Sequence, residues 1–123
     1  MKLQFFKDSK PAVLLIYDGT PEEVSRLVAI FRRLSNGEHG ALSVHEIQGM
    51  QSVGECRLHV RLGRSDVGIK KTGESEFECV FTAQRWGEVA DLCEPFQKPW
   101  QSGHQYLSQS GKVQLIISTG LGW

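Results

Sequence analysis

Residues 20–37, TPEEVSRLVAIFRRLSNG, constrain this chain more than any other stretch, because a helix start, a buried stripe and a helix stop follow one another there. Thr20 can cap the first free N–H groups, and Pro21 stands where its missing N–H costs nothing. Glu23 falls at the capping-box position, with Glu22 beside it near the positive end of the helix dipole. Val24, Leu27, Val28, Phe31 and Leu34 recur at three- and four-residue steps, whereas Glu22, Ser25, Arg26, Arg32 and Arg33 fall mostly on the other side. Arg32 and Arg33 suit the negative end, and Asn36-Gly37 offers a left-handed stop. Such a helix has to lay its stripe on something, and the rest of the chain reads as sheet. The stripe holds no catalytic residue type, so the segment speaks for architecture.

Residues 2–6 and 12–17 are apolar runs separated by KDSKP and read as a hairpin; AVLLIY, apolar at nearly every position, is expected to be covered on both faces. In residues 41–47 Leu42 and Val44 share one parity and Ile47 has the other, so a strand there needs a bulge or an end near Glu46. Residues 55–62 alternate cleanly: Cys56, Leu58, Val60 and Leu62 face one way and Glu55, Arg57, His59 and Arg61 the other. A short strand at 67–71 and another at 76–82, with Phe77, Cys79 and Phe81 inward, follow. Thr82 can cap a second helix to about Glu94 with Trp86, Val89, Ala90 and Cys93 on its stripe, and Pro95 marks its end. Residues 96–103 read as a loop, and 105–107 with 113–118 as a closing hairpin whose VQLII lies mid-sheet. The expected fold is α+β: a single-domain, two-layer sandwich of mainly antiparallel sheet with two helices packed on it, in the order ββα-βββ(β)-α-ββ. No internal repeat is visible in the residues.

A length of 123 residues suits one domain. The 40% hydrophobic and 23% charged fractions are those of a folded soluble chain, and no apolar run approaches the roughly 20 residues of a membrane helix. Lys7, Asp8, Lys10 and Pro11 interrupt the first apolar group, so no secretory leader is expected there. Fourteen basic and fourteen acidic residues cancel, which removes the global field that draws in nucleic acid or an anionic membrane. Cys56, Cys79 and Cys93 are odd in number and lack C-x-x-C spacing, which fits reduced thiols in a cytoplasm.

Arg57, His59 and Arg61 put two cations and an imidazole in a row on one sheet face, an arrangement that would hold a phosphate or carboxylate. If the strand of Glu76 and Glu78 lies alongside, those carboxylates neutralise the row as ordinary cross-strand pairs. No aromatic residue interleaves with the row for base stacking, so nucleic acid is not the expected ligand. His39, His45, His59 and His104 lack metal-ligand spacing, so neither metal nor cofactor is expected. The three cysteines read as small core hydrophobes, and there is no G-x-S-x-G elbow or Walker pattern. Asp66 in GRSDVG reads as a turn former.

Aromatic residues gather late: Phe96, Trp100, Tyr106 and Trp123, with His104 between them. Trp and Tyr are the types most often found at interface hot spots, although they also seal the end of a small core. The expectation is a non-enzymatic binding module whose contact surface is the 96–106 loop with the C-terminal Trp. By analogy of fold alone, an inhibitor or immunity-type partner of another protein fits this reading. A homodimer through an edge strand is also open to such a chain. The alternative is a small anion-ligand domain or enzyme using the Arg57, His59, Arg61 face.

Overall fold

The computed structural model describes residues 1–38, 40–109 and 111–121. Helix α1 runs over Pro21–Ser35, with Thr20 as N-cap and the full capping box: Glu23 N–H donates to Thr20 Oγ1 (3.2 Å) and Thr20 N–H to Glu23 Oε1 (3.0 Å). The Thr20 backbone donor, and after it the Met1 ammonium 2.9 Å away, hold the Glu23 carboxyl below its usual range. At the other end Gly37 takes φ +72°, and its N–H reaches Leu34 O. Helix α2 spans Ala83–Cys93 with Thr82 as N-cap.

Among the described residues nine strands make two sheets: β1 (Lys2–Phe6), β2 (Ala12–Tyr17), β3 (Ala41–Ser43), β4 (Gln51–Ser52), β5 (Arg57–Leu62), β6 (Gly68–Lys71), β7 (Glu76–Phe81), β8 (His104–Ser108) and β9 (Val113–Ser118). Their orders are β4-β1-β2-β9-β8 and β3-β5-β7-β6. The α+β class stands, but the layout differs from one mainly antiparallel sheet. There are two mixed sheets, and each has a parallel pair at its centre, β2 with β9 and β5 with β7.

The layout repeats. Exchanging β1 with β6, β2 with β7, α1 with α2, β3 with β8 and β5 with β9 carries the order β1-β2-β9-β8 onto β6-β7-β5-β3, which is the other sheet. Register follows: Ala12↔Val113 to Tyr17↔Ser118 in one parallel pair matches Glu76↔Arg57 to Phe81↔Leu62 in the other. The helix stripes correspond as well, Val24 to Trp86, Leu27 to Val89, Val28 to Ala90 and Phe31 to Cys93, and all eight are buried. The chain is thus two ββαββ units, and each sheet takes one hairpin from each unit. The repeat is invisible as sequence because burial pattern is shared while residue identity is not.

The helices meet directly. Phe31 and Trp86 stack at 5.3 Å and 12°, Phe81 meets Trp86 edge-on at 5.0 Å, and Trp86 Nε1–H donates to Arg61 O at 3.0 Å. Arg32 ties the helices on the outside, donating to Asp91 (2.7 Å), Glu94 and the Gly87 carbonyl. Gly87 lets them approach, since a Cβ there would stand 3.0 Å from Ser35 Oγ. One core joins both helices to the inner faces of both sheets, and at its far end Phe5 of β1 meets Phe77 of β7 at 4.6 Å. Val13, Leu15, Tyr17 and Ile116 form a smaller cluster on the other face of the β2–β9 sheet, so AVLLIY is covered on both sides. No described helix is long and apolar enough to cross a membrane.

Candidate functional site

Among the described residues, a sheet face, an exposed aromatic loop with its neighbouring strand and a cleft gather side chains that could meet a ligand or partner. The first is the outer face of the β5–β7 sheet. The parallel register puts Glu76 and Glu78 beside Arg57, His59 and Arg61, so Arg61 pairs with Glu78 (3.3 Å) and His59 Nε2 with Glu76 Oε2 (2.8 Å). Carboxylates therefore occupy the row that an anion would need. On its other side His59 Nδ1 lies 3.2 Å from Ser43 Oγ, supplied by β3. In the neutral ring, with Nε2–H given to Glu76, Nδ1 accepts the hydroxyl. This hydroxyl–imidazole–carboxylate line is the order of contacts a serine nucleophile uses. It is also a cross-strand ladder in which each polar group finds a partner. The ring and the carboxylate side chains are 37% and 43% exposed, so water screens the pair and the ladder is the simpler description. His45 approaches the same ring edge-on at 4.9 Å, but its Nδ1 accepts the Leu58 N–H at 3.1 Å, which makes it a backbone cap for β5. Glu76 and Glu78 stand alongside the row as the sequence allowed, whereas residue numbers hid the Ser43 contact, because only the pairing of β3 with β5 brings it to His59. Among the described residues no group of three or more His, Cys, Asp or Glu is placed to hold a metal.

The second place is the end of the chain's late aromatic run. Phe96 does not belong to a surface there: it is 7% exposed and continues the α2 stripe into the core, because the short 3-10 turn Glu94–Gln97 extends the helix by one step. Trp100 is 76% exposed, with Lys98 Nζ 6.0 Å from its ring. His104 and Tyr106 stand on β8, the outermost strand of its sheet, and meet edge-on at 5.5 Å. Trp123 and His39 lie outside the described residues.

The third place is a cleft of about 580 Å³ that sequence reasoning missed. It opens between two turns that the internal repeat makes equivalent, residues 7–11 after β1 and 72–75 after β6. Lys7, Asp8 and Ser9 come from one wall and Lys71, Glu74 and Ser75 from the other. Phe5 and Val53 add apolar surface, and Lys71 Nζ sits 5.5 Å above the Phe5 ring. Two short polar turns far apart in the chain are the signal, legible only once the hairpins are paired.

All three cysteines are core residues, at 2% exposure or less. Burial raises each thiol's pKa, that of Cys56 to about 11 from an ordinary 9.0. The thiolate is therefore withheld from chemistry at neutral pH. Folding holds these protons, so this contribution to stability is complete below pH 9.0 and fades as the unfolded thiols ionise above it. At pH 8 the folded chain is expected to react with a thiol-specific disulfide reagent more than about a hundredfold slower than the urea-unfolded chain. A rapid folded-state burst of one thiol would contradict the burial.

No protein-family model, curated protein or solved structure matches this chain.

Proposed function

We propose that this chain is a small non-enzymatic protein-binding module, and that its contact surface is formed by the Trp100 loop and the edge strand β8 with His104 and Tyr106. The observation that carries the reading is the exposure of Trp100. Its ring is 76% open to solvent, whereas Trp86 and every phenylalanine of the stripes and inner sheet faces are buried or packed on the core. An indole left in water gains nothing for the fold and offers a large rigid area to a partner at little entropic cost. β8 follows this loop directly and is an edge strand whose unpaired side offers main-chain groups to a partner, the Leu107 carbonyl being already taken by Arg85. An inhibitor or immunity-type role is one form this reading takes; self-association through β8 is another. The carboxylates beside Arg57, His59 and Arg61 support this reading over an anion site on that face.

Trp100→Ala is expected to weaken partner capture by about 30-fold or more while the melting transition stays within about 0.5 kcal/mol of the parent. The measurement is an affinity pull-down from lysate of the native host with both proteins side by side, followed by titration of the captured protein. Equal capture by the variant, or its unfolding, would remove the argument.

A further inference from the structure

The cleft between the two hairpin turns borders an unfinished sheet edge. β4 is only two residues long and pairs with β1 at Lys2↔Gln51 and Leu3↔Ser52. Gln51 N–H donates to Met1 O at 2.8 Å, which places the Met1 backbone groups on the side of β1 away from β2. Strand alternation then puts the N–H and C=O of Leu3 and Phe5 on that same side. Past Ser52 the chain leaves the ladder for the 3-10 turn Val53–Glu55, so pairing stops short of Phe5. The Phe5 ring points the other way, inward to Phe77, and its exposed rim lines the cleft.

The volume of about 580 Å³ falls within the about 300–1,000 Å³ of ordinary ligand sites. The two walls repeat one chemistry, a lysine, a carboxylate and a serine each. Among the described residues Lys7, Asp8, Lys71 and Glu74 form no ion pair. Walls of both signs and no net charge suit a ligand that carries both, and disfavour a multiply charged anion such as phosphate. An open main-chain edge, an apolar floor and ionic groups of both signs together describe the requirements of a peptide.

We infer that this cleft takes a short extended peptide, which continues the β4 position along β1 at Phe5, lays an apolar side chain on Phe5 and Val53, and sets its terminal carboxylate at Lys71 and Lys7. Main-chain bonds to the Phe5 N–H and C=O provide the strand addition, and the lysines select a chain end. This site lies at the edge of the sheet opposite β8 and is independent of Trp100.

The test is a ¹⁵N–¹H NMR titration of the whole chain with a free-ended tetrapeptide of alanine, valine, phenylalanine and valine. The expected result is saturable shifts confined to residues 4–9, 53–56 and 71–75, with slowed hydrogen exchange at the Phe5 amide. Backbone N-methylation of the peptide, amidation of its C-terminus, and Lys71→Ala are each expected to weaken binding about tenfold, and Trp100→Ala to leave it unchanged. Lys71→Gln repeats the charge test should the alanine variant fold poorly. No saturable shift at millimolar peptide would overturn the inference. So would equal binding of the N-methylated or amidated peptide, or equal affinity for free phenylalanine or inorganic phosphate.

Discussion

Trp86→Ala is expected to cost about 3–5 kcal/mol and to lower the melting temperature by about 10 °C or more. Trp86 is fully buried where the two helices and the end of β7 converge. Its removal opens a cavity under Phe31 and Phe81, and the rings that stacked on it lose their partner. It also leaves the Arg61 carbonyl without the indole N–H that now satisfies it. Trp86→Phe separates the two contributions: the ring contacts largely survive, the hydrogen bond does not, and a loss of about 1–2 kcal/mol is expected. Urea denaturation of both variants is the measurement. A loss below 1 kcal/mol for the alanine variant would mean that the helix pair does not depend on this residue.

Phe77→Ala is expected to have a comparable cost, about 3–5 kcal/mol, at the other end of the molecule. Phe77 is fully buried, stands opposite Leu58 in the central parallel pair, and crosses the gap between sheets to Phe5. Among the described residues no ring pair of the helices reaches this contact, so here the two sheets pack directly on each other. Among the described residues Phe77 and Trp86 share no ring partner, and their costs should therefore add. The double variant would lose about 6–10 kcal/mol, which is as much as a domain of this size usually has, and is expected to be unfolded without ligand. Strong non-additivity would show that strain passes between the two ends. Loss of Phe77 also loosens the ring of Phe5, so peptide binding in the cleft should weaken in Phe77→Ala even where the chain remains folded.

Local structure follows from the residues alone. Thr20 and Thr82 as caps, the two stripes, the alternation through Arg57–Leu62 and the turn between β1 and β2 depend on near neighbours alone, and each stands where the residues place it. The inward thiols were legible for the same reason, since parity on a strand or a stripe on a helix is a local property. The change of parity between Val44 and Ile47 called for a bulge or an end near Glu46; β3 in fact ends at Ser43 and passes into the 3-10 turn Val44–Glu46.

The β1–β2 and β8–β9 hairpins were legible in the residues, whereas the parallel pairs at the centre of each sheet were settled by tertiary packing. Parallel pairing of β2 with β9 and of β5 with β7 joins segments far apart in the chain, and nothing in a strand's own alternation tells a parallel neighbour from an antiparallel one. That choice produced two sheets instead of one, and it set Glu76 and Glu78 beside Arg57, His59 and Arg61. It aligned Ser43 with His59 and brought two polar turns together as the walls of a cleft. Phe96 was misplaced on the surface because Pro95 ends the α-helix in sequence terms, while in space a 3-10 turn carries the stripe one residue further. Trp100 lies outside the core because the chain leaves that turn at Gln97, before reaching it. Periodicity decides which side of an element is buried; the register between distant strands decides which polar groups meet.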